Sequence, residues 1–158
     1  MSDVKQYLTN EKMAEFKKEL IFLKTDKRKQ VAENLEYTKK LGDLAENAEY
    51  HDARQIQAEV EDRISHLENL IKTAVILDGN DSFIKEGMVS IGSTVKIQKD
   101  GEKDSREYKI VGSEEADMTQ SKVSNLSPLG AALLGKKKGE KVDVNTPKGR
   151  VAYTLISV

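Results

Sequence analysis

A chain of 158 residues with 37% hydrophobic content suits one or two small domains with modest cores. It contains no cysteine and only two histidines, His51 and His66, which excludes disulfides, thiolate metal sites and any zinc centre lacking several acidic partners. A formal net charge of -1 does not suit a free nucleic-acid binder, whose affinity comes from clustered Lys and Arg, so any nucleic acid is expected inside a larger assembly. The opening stretch MSDVKQYLTNEK is polar, and no apolar run approaches the roughly 20 residues of a membrane span. A cytoplasmic protein without a membrane partner is expected.

Along the chain, Met13, Phe16, Leu20, Leu23, Val31, Leu35 and Leu41 recur mostly at steps of three and four, which predicts an amphipathic helix. The stretch KTDKRKQ, residues 24 to 30, interrupts that stripe and predicts a bend or break, with Thr25 or Asp26 capping a restarted helix. After Gly42 a second stripe follows: Ala53, Ile56, Val60, Ile64, Leu67, Ile71 and Ala74. A connection of only a few residues around Gly42 and Asp43 makes the two helices antiparallel neighbours. Charge is sorted to match, since residues 24 to 40 hold six basic and three acidic groups while residues 43 to 68 hold two basic and eight acidic ones. Arms of about 30 residues would each be roughly 45 Å long, so the tip is expected to project beyond a small domain.

From about residue 80 the pattern changes to short alternating runs, STVKIQ, REYKIVG, KVDVNT and VAYTLISV, separated by turn residues. These predict strands of a small antiparallel sheet. Between them SPLGAALLG places Ser127 as N-cap, Pro128 at the first helical position and Gly135 past the end of one short helix. The fold class is α+β: a helical hairpin over residues 1–78 and a sheet domain over 79–158, joined near the turn-forming DGND of Asp78 to Asp81.

The chemistry concentrates where the chain reverses, in LGDLAENAEYHDAR, residues 41 to 54. A structural explanation is an N-terminal capping box, in which Asp43 accepts a backbone N–H and Glu46 reaches back. Acidic residues in a first turn also suit the helix dipole, and Gly42 suits a left-handed helix end. A functional explanation starts from position: carboxylates three residues apart at the end of a rod are available to something outside the protein. Mg²⁺ seeks about six oxygens, so two carboxylates make a poor private site but useful added ligands for an ion partly held elsewhere. Glu49 and Asp52 extend the charge and read more simply as a solvated helix face.

At these residues the sequence resembles a known family. GDLAENAEYHDAR is similar to the tip signature of the bacterial Gre transcript-cleavage factors, which reads G-D-L-x-E-N-A-E-Y. IVGSEEAD (110 to 117) and the stretch from SNLSPLG to the carboxyl terminus resemble that family's second domain, so the likeness spans almost the whole chain. The resemblance implies an antiparallel coiled-coil hairpin followed by an FK506-binding-protein-like (FKBP-like) domain with one short helix. It further implies a transcription elongation factor whose second domain docks at the rim of the secondary channel of bacterial RNA polymerase while the hairpin enters the channel; a hairpin that covers its own seam makes a monomer the simplest expectation. Asp43 and Glu46 would match the family's tip carboxylates, sharing a Mg²⁺ ion with the polymerase and promoting cleavage at the backtracked RNA 3′ end. The free protein would bind no metal and would not be an enzyme by itself. Asn47 and Tyr50 match the signature as residues that orient the tip or touch RNA, with packing an equal role for Tyr50.

The chain departs from the family pattern at two places. Lys39, Lys40 and Leu41 stand where an arginine and a smaller polar residue are common, which keeps charge but loses a forked contact to phosphate. A proline common in the first arm is absent from KTDKRKQ. Lys24, Lys27, Arg28 and Lys29 would suit RNA or inter-helix salt bridges equally.

Two other functions compete. Prolyl isomerisation needs an apolar pocket lined by aromatics, and the second domain offers only Phe83, Tyr108 and Tyr153. A channel-occupying inhibitor of polymerase needs the hairpin's shape and charge but no carboxylates at set places.

Overall fold

The computed structural model describes residues 5–43, 46–77 and 87–158. The chain forms two compact units, Glu11–Ala74 and a second made of Met1–Asn10 with Val75–Val158. The sequence places the division at residues 78 and 79, and the DGND stretch lies outside the described residues, as does Phe83.

The helical unit begins with α1, Asn10–Phe22, passes through a π-helical turn at Leu23–Lys27 and continues as α2, Arg28–Lys39. The expected interruption is there, but as a widened turn rather than a break. Neither Thr25 nor Asp26 caps a new helix. The residue before α2 is Lys27 in helical geometry (φ −68°, ψ −44°), and the Thr25 hydroxyl donates back to Ile21 O at 2.9 Å.

The stripe explains this turn. A three-four rhythm continued from Leu23 would put the seam at Lys27, Gln30, Asn34 and Tyr37. The residues that pack are Val31, Leu35 and Thr38, each one position later, and Tyr37 is 61% exposed. One extra residue must be absorbed, and a π turn absorbs it, with Arg28 N reaching back to Leu23 O.

The return arm is α3, Ala48–Thr73, antiparallel to α2. Its seam is Ala53, Val60, Ile64, Leu67 and Leu70, and Val60 and Ile64 cluster with Val31, Leu20, Leu23 and Leu35. Two expected seam residues are exposed. Ile56 is exposed because the four-three spacing from Ala53 to Val60 passes through Gln57, and Leu41 is exposed because α2 has ended before it. Charge pairs bind the arms: Arg28 grips Glu61 with two bonds of 2.8 and 2.6 Å and Lys24 pairs with Glu68, as the sorting predicts, while Arg63 grips Glu19 at 2.7 and 2.9 Å with the signs reversed. The hydrogen bond from Arg28 holds the Glu61 carboxyl below its ordinary range.

The second unit has a two-stranded parallel pair, β1 (Tyr7–Thr9) with β2 (Val75–Leu77). This pair explains why residues before the helices belong with the sheet unit. Leu8 at its centre is fully buried, and Thr9 N donates to Glu115 Oε1 at 2.6 Å.

The main sheet contains β3 (Thr94–Lys99), β4 (Ser105–Val111), β5 (Lys122–Ser124), β6 (Lys141–Thr146) and β7 (Gly149–Ser157) in the order β5-β4-β3-β7-β6. Pairing is antiparallel except at the edge, where β5 runs parallel to β4, so the sheet is mixed. Alternation in β3 and β6 turns Val95, Ile97, Val142 and Val144 inward. The short helix α4, Pro128–Leu133, supplies Leu133 to this core. It starts as the sequence predicts, with Ser127 Oγ accepting from Gly130 N at 3.0 Å, and Gly135 follows at φ +76°.

Candidate functional site

The hairpin's turn is longer than the sequence suggests. It runs from Lys40, which ends α2, to Asn47, which begins α3. Lys40 N donates to Tyr37 O at 3.1 Å and Leu41 N to Thr38 O at 3.2 Å, tightening the last turn of α2. Gly42 then takes φ +138°, beyond the left-handed helical region and open to glycine alone. Asp43 O accepts from Glu46 N at 3.3 Å, closing a turn across the tip.

The capping box expected at Asp43 and Glu46 is not how α3 starts. Its N-cap is Asn47 (φ −85°, ψ 91°), whose Oδ1 accepts from Tyr50 N at 3.1 Å. The helix therefore begins four residues later than a cap at Asp43 would begin it, and Asp43 and Glu46 both lie in the loop before it. A second bond holds the same residue: Asn47 Nδ2 donates across the hairpin to Thr38 O at 2.7 Å. Nothing in the sequence pattern singled out Thr38, which is buried in the seam at 3% exposure. Its position one residue late on the stripe is the signal that would have found it.

Asp43, Glu46 and Glu49 are exposed around a shallow depression whose other walls are Leu41, Gly42, Asn47 and Ala48. The Glu46 carboxylate has no hydrogen-bond or ion-pair partner among the described residues. Tyr50 is half-buried, with its ring edge-on to His51 at 6.0 Å, and Asp52 is exposed on α3. Lys40 is drawn back along α2 to Glu36 at 2.8 Å, and that hydrogen bond holds the Glu36 carboxyl below its ordinary range. Further down, Lys24 and Arg28 are engaged by Glu68 and Glu61, which favours the inter-helix role for those two cations.

Among the described residues no three His, Asp or Glu side chains converge as a metal site. What the tip offers is an oxygen donor set suited to a hard cation such as Mg²⁺, and too few ligands to complete its shell.

On the sheet unit, an apolar groove of about 350 Å³ is lined by Met118, Val123, Pro128, Leu129, Val144 and Pro147 among others. Met118 is 67% exposed at its side. Tyr108 and Tyr153 share a different cleft, of about 140 Å³, with Lys99, Glu102, Asp104 and Arg106. This charged surround is unlike the apolar aromatic pocket that prolyl isomerisation requires.

Two family models match the chain. Residues 6–76 match "Transcription elongation factor, N-terminal" and residues 84–158 match "Transcription elongation factor, GreA/GreB, C-term". The chain is 46% identical to transcription elongation factor GreA of Clostridium botulinum (strain Kyoto), covering 100% of this chain and 98% of that one. It is 41% identical to GreA of Clostridium acetobutylicum, covering 100% and 99%. Among solved structures it is similar to GreA factor homolog 1 (Gfh1) of Thermus thermophilus at 24% identity, with 97% of each chain covered and a TM-score of 0.43.

Proposed function

This chain belongs to the GreA/GreB family of transcription elongation factors, and from that premise we propose that it stimulates RNA polymerase to cleave backtracked RNA without cutting RNA by itself. The observation that carries this reading is the division of labour at the tip. Asn47 caps α3, so Asp43 and Glu46 are not held in place by that duty, and both are exposed.

The hairpin would enter the polymerase secondary channel while the sheet unit docks at the channel rim, with the groove beside Met118 as its contact surface. Asp43 and Glu46 would join the polymerase's own carboxylates in holding a Mg²⁺ ion, which when bound favours attack of water on the phosphodiester. Each carboxylate here supplies oxygen ligands and negative charge, and neither makes a site alone. Asn47 and Tyr50 would orient the loop or touch RNA. No described helix is long and apolar enough to cross a membrane. A cytoplasmic monomer fits, because the hairpin covers its own apolar seam.

Stalled, backtracked complexes carrying labelled RNA test the proposal. Asp43→Asn and Glu46→Gln should each bind polymerase and lose most of the stimulated cleavage, and free RNA should stay intact with every variant. If both variants cleave at the wild-type rate, the tip carboxylates have no chemical role. If the wild-type protein only slows polymerase and releases no fragment, the protein is a channel-occupying inhibitor instead.

A further inference from the structure

We infer that Asn47 is a positioning residue whose side chain fastens the end of α2 to the start of α3 and so fixes the loop that carries Asp43 and Glu46. The inference rests on the cleavage reading given above. Its geometry is a single amide working in two directions: Oδ1 accepts from Tyr50 N at 3.1 Å, and Nδ2 donates to Thr38 O at 2.7 Å.

Thr38 is built to receive that bond. Its carbonyl is among the last four of α2, which have no partner inside the helix. Its hydroxyl donates back to Asn34 O at 2.9 Å and so is satisfied within its own helix, while its carbonyl accepts Leu41 N at 3.2 Å and keeps a second lone pair for the other arm. The nearest buried seam residue on α3 is Ala53, at 1% exposure. Small side chains at this end of the seam let the two backbones come close enough for an asparagine to reach across.

Only asparagine meets both demands. Aspartate has the same length and caps helices equally well, but it lacks the donor and sets a negative charge against a carbonyl. Serine keeps a cap and is too short to cross. Glutamine carries the amide one methylene too far from Tyr50 N. With Oδ1 and Nδ2 both engaged inside the tip, the residue has one N–H left for RNA. Orientation is thus its main task, and RNA contact is not.

The test compares Asn47→Asp and Asn47→Ser with wild type in two measurements. In the free protein, amide exchange at Leu41 and Glu46 should accelerate on the order of tenfold in both variants, while amides in the middle of α3 and the thermal midpoint stay close to wild type. In backtracked complexes, the cleavage rate at saturating factor should fall on the order of tenfold to a hundredfold, with the half-saturating concentration unchanged. A purely structural role would move the midpoint and the half-saturation instead. Agreement of the two variants rules out the added charge of aspartate as the cause. Wild-type exchange and wild-type maximal cleavage in both variants would overturn the inference, provided Asp43→Asn and Glu46→Gln are inactive beside them. If those two are also fully active, the cleavage reading itself falls, and the exchange measurement still decides whether Asn47 holds the loop.

Discussion

Two helices of this molecule start after a turn, and they spend their polar residues differently. At α4 the account closes: Ser127 caps, Pro128 fills the first position, and the Ser127 hydroxyl also donates to Ser124 O at 2.7 Å. At α3 it does not. Asn47 supplies the cap and the cross-link, yet Asp43, Glu46, Glu49 and Asp52 surround it with exposed charge. A helix start needs one good cap, and the proposed cleavage role is what would use the further carboxylates exposed around this one.

The comparison can be broken most forcefully at the tip. Asp43→Asn and Glu46→Gln should lower stimulated cleavage by roughly two orders of magnitude, the scale seen when a group acting on developing charge is removed, while thermal stability barely changes. At α4 the reverse is expected. A Cβ on Gly130 would lie 2.0 Å from Ser124 O, so Gly130→Ala should destabilise the sheet unit by about 1–3 kcal/mol in urea unfolding. Ser127→Ala should cost about 1 kcal/mol through the lost cap. Where the sheet unit remains folded, both α4 variants should cleave normally at saturating concentrations.

The smallest effect belongs to the arms. Arg28 depresses the folded-state pKa of Glu61, so the pair adds stability above the unfolded carboxylate value of about 4.3, and that stability is lost as pH falls through the lower folded value. Glu61→Gln should therefore flatten part of the wild-type drop in thermal midpoint below about pH 4, and only slightly, because the pair is exposed.

Elements that repeat a pattern over many residues were legible in the sequence. The four longer strands stand out as short runs between turn residues, with in-and-out alternation in β3 and β6, and α4 carries its own start and stop signals. Strands β1, β2 and β5 span three residues each, too few to establish a period, and they depend on partners distant in the chain. The place of the π turn was readable as a gap in the stripe. Its form was not, because the eight-residue step from Leu23 to Val31 shows that one residue is extra without showing whether a break or a widened turn absorbs it. At the tip, the identity of the acidic residues was plain, but the pattern gave the cap to Asp43 and passed over Asn47, whose amide caps a helix as well as a carboxylate does. The backbone decided it, since the chain needs the stretch from Lys40 to Asn47 to reverse and α3 can begin only after it.

The central claim is that the tip carboxylates contribute chemistry and not merely fit. The most direct measurement adds an excess of the Asp43→Asn/Glu46→Gln double variant to backtracked complexes that wild-type protein is cleaving. The variant should occupy polymerase, release no RNA fragment and suppress wild-type cleavage in proportion to its concentration. Cleavage sustained by the double variant alone would contradict the account.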